Sequence, residues 1–131
     1  MAGNNTYMSF YLRSDTFRVF TGALRVLDAP KYVRFLVNPD TLKMAMIEYD
    51  QKEFTSFKVS KKILYDSRRN CLSIRSKKFC VLIADRMKWD RSKSYRVEGK
   101  IYPDQKVVVY DLSSAKAIKL RKNQNNSRNE G

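Results

Sequence analysis

The chain has 131 residues, 43% of them apolar and 31% charged, which fits one ordinary folding domain and excludes a low-complexity or disordered polymer. Its 27 Lys and Arg against 13 Asp and Glu leave a formal charge of +14 and a pI near 10.0, so a polyanionic partner is the leading expectation. Histidine is absent, and two cysteines cannot supply four zinc ligands, so the commonest general base and the usual zinc chemistry are excluded by count.

Residues 1–15 read as an N-terminal arm. Tyr7, Phe10, Tyr11 and Leu12 would pack its later part on the body, while Ala2 to Thr6 is expected to be loose. Phe17 to Phe20 alternates like a strand. Gly22 to Leu27 reads as a short helix, with Thr21 as N-cap and Pro30 as stop. Tyr32 to Val37 and Leu42 to Tyr49 are then strands joined by the turn Asn38-Pro39-Asp40-Thr41, where Pro fixes φ and Asn and Asp satisfy local backbone groups.

The linker from Asp50 to Asn70 holds Phe54, Phe57, Val59, Ile63 and Leu64, too apolar for a flexible spacer, with a short edge strand around Phe57 to Val59. Cys71 to Arg75 reads as a strand. Ser76 caps a helix to about Trp89 with an apolar stripe of Phe79, Leu82, Ile83 and Met87. Ser94 to Tyr102 is a strand, Tyr102-Pro103-Asp104-Gln105 a turn and Lys106 to Leu112 the returning strand. Ala115 to Leu120 could hold a helical turn, and the polar tail 121–131 is expected to be disordered.

Residues 16–50 and 71–112 echo each other: Tyr32, Pro39-Asp40 and Tyr49-Asp50 in the first, Tyr95, Pro103-Asp104 and Tyr110-Asp111 in the second. Chance recurrence of turn residues is the alternative. The expected fold is one basic α+β domain over 1–120, in which two similar strand–helix–hairpin halves form a mixed or antiparallel sheet with helices packed on it. An open sheet leaves edges through which a homodimer could pair.

The positive charge is concentrated. Residues 58–100 hold fourteen basic and four acidic side chains, against seven and six in residues 1–57. Lys58, Lys61 and Lys62 lie in the linker, Arg68, Arg69 and Arg75 flank a strand, and Lys77, Lys88 and Arg91 recur at helical spacing. Lys93, Arg96 and Lys100 continue on the outward face of the next strand. Gathered on one surface, these side chains would contact a phosphate backbone, Lys as a point charge and Arg as a two-donor fork. The candidate nucleic-acid-binding set is therefore Lys61, Lys62, Arg68, Arg69, Arg75, Lys77, Lys88, Arg91, Lys93 and Arg96. A merely solvated basic surface is the alternative, although such surfaces usually mix signs. Tyr65, Trp89, Tyr95 and Tyr102 could stack on bases; core packing is the commoner use of such rings.

No phosphate loop or dinucleotide fingerprint occurs, and the carboxylate pairs Asp85/Asp90 and Asp40/Asp104 read more simply as caps and turns than as a metal nuclease. The expectation is a non-enzymatic module without metal, cofactor or small-molecule substrate, binding DNA or RNA; the alternative is a scaffold subunit that docks an acidic protein. No run is long enough for a membrane helix and no signal peptide opens the chain, which points to the cytoplasm and to free thiols at Cys71 and Cys80, with a disulfide between them as the alternative.

The stretch from Gly22 to Asp40, GALRVLDAPKYVRFLVNPD, resembles a module of short uncharacterised bacterial and phage proteins, with a fainter match from Ser94 to Leu112. The resemblance lies in a helix stop and a hairpin turn. It brings no activity or binding residue and implies a bacterial or phage origin; the expected nucleic-acid-binding module would then be a bacterial, phage or plasmid regulator or accessory factor.

Overall fold

The structure, a computed structural model, describes residues 4–28, 30–52 and 56–118. Along them run β1 (Asn4–Tyr11), a 3-10 turn (Leu12–Ser14), β2 (Thr16–Phe20), α1 (Thr21–Val26), β3 (Tyr32–Asn38) and β4 (Lys43–Tyr49). Then follow β5 (Ser56–Lys58), α2 (Lys61–Leu64), β6 (Cys71–Arg75), α3 (Lys77–Met87), β7 (Ser94–Tyr102) and β8 (Val107–Ile118). All eight strands belong to one sheet in the order β5-β3-β4-β8-β7-β1-β2-β6, and every neighbouring pair is antiparallel.

Alternation along the strands decides which face turns inward. Met8 and Phe10 of β1, Phe17 and Val19 of β2, Met44 and Met46 of β4 and Val108, Tyr110 and Leu112 of β8 are completely buried. A flat sheet could not bury so many large side chains from a single face, and this one curls. Phe17, on the seventh strand of the order, meets Phe57, on the first, with ring centroids 5.3 Å apart. Phe35 of β3 joins them at 5.6 Å from Phe17. The α+β expectation, with helices laid on a sheet, is thereby overturned: the molecule is mostly β, an eight-stranded antiparallel sheet rolled into a nearly closed barrel around an aromatic core.

The helices serve that barrel as end plugs. Strands β2 and β6 run antiparallel, so α1 and α3, which follow them, cover opposite ends. From α1, Ala23 and Leu24 enter the core, as does Leu27 just beyond it. From α3, Phe79 sits among Phe17, Phe35 and Phe57 at 4.8, 5.1 and 5.4 Å. Ser76 caps α3, its hydroxyl accepting from the Phe79 amide at 3.2 Å. The buried stripe runs through Cys80, Ile83 and Ala84; Leu82, expected in it, is 61% exposed. Thr21 is the first residue of α1 rather than its cap, and its amide donates to the Asn70 carbonyl at 2.9 Å.

The repeating unit also differs from the strand–helix–hairpin halves at 16–50 and 71–112. Exchanging β1–β4 for β5–β8 carries six of the seven strand pairings onto observed pairings, with β4–β8 and β2–β6 mapping onto themselves. The image of the remaining pair, β1–β2, would be β5–β6, and that is where the barrel stays open among the described residues. Each repeat therefore starts one strand earlier, at β1 and at β5. β1 is not a loose arm: it lies between β7 and β2 with Thr6 buried. The segment after Leu112 is strand, not a helical turn, and continues β8 to Ile118. Between Arg96 and Glu98 the β7–β8 pairing breaks register, and the Glu98 amide donates to Ser114 Oγ at 2.8 Å. The expected tail, 121–131, lies outside the described residues.

Gly99 is fixed by packing. A Cβ there would lie 2.6 Å from the ring of Tyr110, which is wholly buried and could shift only at the expense of the packing around it.

Candidate nucleic-acid interface

All ten candidate cations are exposed, and they sit in three places. Lys61 and Lys62 belong to α2, and Arg68 and Arg69 to the loop leading into β6. Arg75 ends β6 and Lys77 begins α3; Lys88 is the α3 C-cap, and Arg91 and Lys93 follow in the α3–β7 loop. Arg75 and the Arg68–Arg69 loop lie at opposite ends of β6, which spans about 14 Å at roughly 3.4 Å per residue. Arg96 stands apart from both, on the outward face of β7. The spacing of Lys77, Lys88 and Arg91 was read as one helical side, but α3 ends at Met87, so a single helix face does not carry all three.

The two arginines before β6 are the only members of the set in ion pairs among the described residues. Arg68 Nε lies 3.1 Å and Arg69 Nε 3.8 Å from the Asp66 carboxylate. Hydrogen bonds from the Arg68 side chain and amide hold the Asp66 carboxyl below its usual range. Among the possible stacking rings, Trp89 and Tyr95 stack on each other at 4.7 Å, and Tyr95 Oη accepts from the Asp90 amide at 2.9 Å. They are packing residues, whereas Tyr65 is 64% exposed.

The register of the barrel wall reveals a row the sequence reading missed. Across five neighbouring strands, Lys116 of β8 pairs with Arg96 of β7, Arg96 with Ser9 of β1, Ser9 with Arg18 of β2 and Arg18 with Ser73 of β6. Directly paired residues share a face, so Lys116, Arg96 and Arg18 project outward together. Arg18 and Arg96 flank Ser9 at a backbone separation of about 10 Å, two interstrand steps of roughly 4.8 Å. Tyrosines brace both: the Arg18 guanidinium lies 4.9 Å from the Tyr11 ring centroid and that of Arg96 5.6 Å from Tyr7. Arg18 Nε donates to Ser73 Oγ at 3.0 Å, which leaves its terminal nitrogens open.

Between these side chains the surface dips into a depression of about 130 Å³ bordered by Tyr7, Ser9, Tyr11, Arg18, Cys71 and Arg96. Both cysteines are free thiols. Burial pushes the Cys71 thiol up, while the charges of Arg18 and Arg96 pull it back, so both guanidiniums bear on this one sulfur. Cys80, in the core, is pushed up to about 12 by burial, with the Asp15 carboxylate adding to the effect. The signal for this face was present in the alternation of Tyr7, Ser9 and Tyr11 with Met8 and Phe10, once residues 4–11 are recognised as a strand.

A larger, apolar groove runs beside α3 between Phe57, Val81 and Leu82. Among the described residues, no three metal-ligating side chains cluster, and no helix is long and apolar enough to cross a membrane. No family model, curated protein or solved structure matches the chain.

Proposed function

We propose that the protein is a non-enzymatic nucleic-acid-binding module that holds phosphate groups against the outer wall of its barrel. The observation that carries this reading is the outward row Lys116–Arg96–Ser9–Arg18–Ser73, in which three cations share one face without a carboxylate partner among the described residues. Glu98 is the nearest acid along β7, and it pairs in register with Tyr7 and Asp111 rather than with a cation. Arg75 extends the basic wall at one end of β6, and Arg68 and Arg69 extend it at the other.

The test is a salt titration of binding to duplex DNA, single-stranded DNA and RNA. Affinity should fall steeply with salt for at least one of them. Changing both Arg18 and Arg96 to Glu should flatten the log–log slope by about 1.8 for a duplex, roughly 0.9 for each lost phosphate contact. Absence of salt-sensitive binding to all three polymers rejects the reading. Stoichiometric capture of an acidic protein under those conditions would put a scaffold role in its place.

A further inference from the structure

The depression beside Cys71 differs from the rest of the basic wall in being shaped as well as charged. It is a small hollow of about 130 Å³. Its donors are of the right kind. Two guanidiniums present planar forks from opposite sides, one over Tyr11 and the other over Tyr7, so part of their ordering is already made before a ligand arrives. Between them, on the intervening strand, lies Ser9, only 8% exposed. Both arginines line the hollow, and neither has a carboxylate partner among the described residues.

We propose that Arg18, Arg96 and Ser9 form a binding site for one dianionic phosphate, either inorganic phosphate or the terminal phosphate of a nucleic-acid strand. Two guanidinium charges match a terminal phosphate, which carries close to two negative charges at neutral pH, better than the single charge of an internal phosphodiester. Tyr7 and Tyr11 bound the site and position the arginines. Cys71 lies at its edge and serves as a built-in reporter, because a bound oxyanion would cover it. The end-phosphate form of the proposal deepens the nucleic-acid reading and rests on it; the inorganic-phosphate form does not.

The experiment uses the full chain. Alkylation of Cys71 by neutral iodoacetamide is followed at rising inorganic phosphate, with chloride at matched ionic strength as control; Cys80, 1% exposed, stays silent. Saturable slowing of several-fold by phosphate is expected, and it should disappear in R18Q and R96Q variants shown to be folded by thermal melting. In parallel, the same short single strand is compared with and without a terminal phosphate, at the 5′ and then the 3′ end. The phosphorylated strand should bind about tenfold or more tightly, the scale of a hydrogen bond to a charged group. Absence of saturable protection in the unaltered protein, or equal protection in both variants, overturns the site. Salt-sensitive strand binding without any phosphate-end preference overturns the end-phosphate form and leaves the nucleic-acid reading standing. Phosphate protection without strand binding supports the site and ends the nucleic-acid reading.

Discussion

The two faces of β1 and β2 are built from adjacent residues and obey opposite rules. Inside, Phe10 and Phe17 lie 6.2 Å apart in a cluster of rings that leaves them no exposed surface. Outside, their neighbours Ser9 and Arg18 pair across the same two strands, and Arg18 touches a serine hydroxyl and the face of a tyrosine. The inner face holds the fold through area and shape. The outer face holds charge in place at little cost to the fold, because water solvates what the tyrosines leave uncovered. Stability and binding are thereby assigned to alternate residues of the same strands, and substitutions should separate them.

The largest effect is expected at the inner face. Phe17→Ala should destabilise by about 3–5 kcal/mol, because it removes the ring that joins β2 to Phe35, Phe57 and Phe79 across the barrel. Urea denaturation would measure it, and a loss below ~1 kcal/mol would mean that the two ends of the sheet are not joined through this ring. Gly99→Ala should cost about 1–3 kcal/mol, as overpacking against Tyr110 forces either the ring or β7 to move. A neutral result in the same denaturation series would show that the β7–β8 wall yields more readily than its packing implies. The smallest effect belongs to the outer face. Arg18→Gln should shift stability by less than ~0.5 kcal/mol while weakening binding, and a large shift in melting temperature would show that Arg18 supports the barrel itself.

Much of the local structure was legible because turns and helix stops are local chemistry. Asn38 Oδ1 accepts from the Asp40 and Thr41 amides at 2.9 and 3.2 Å, as an Asn-Pro-Asp turn demands. Ser76 caps α3 as expected. Closure of the sheet was hidden because it depends on pairing between distant segments. Tyr7, Ser9 and Tyr11 give a plain alternation, but terminal position made the segment look like an arm, and with β1 unread there was no register to align Arg18 with Arg96. Helix α3 was found, and Cys80 fell within its apolar pattern, but the stripe was drawn through Leu82 where the structure buries the small Ala84. Small side chains carry little weight in a hydrophobicity pattern and much weight where a helix must approach a crowded core. Clustering of cations in sequence marked out the basic third of the chain, yet it could not distinguish the loops at either end of β6 from the wall between them.

The central position of β1 sets the order in which the molecule can assemble during synthesis. Asn4 to Tyr11 leave the ribosome long before their partners on one side, Ser94 to Ile101. A nascent chain therefore carries one satisfied edge, against β2, and one bare edge until β7 has been made. Such distant pairing makes folding slow relative to a helical protein of equal size, and it exposes that edge to aggregation or to holding chaperones while translation proceeds.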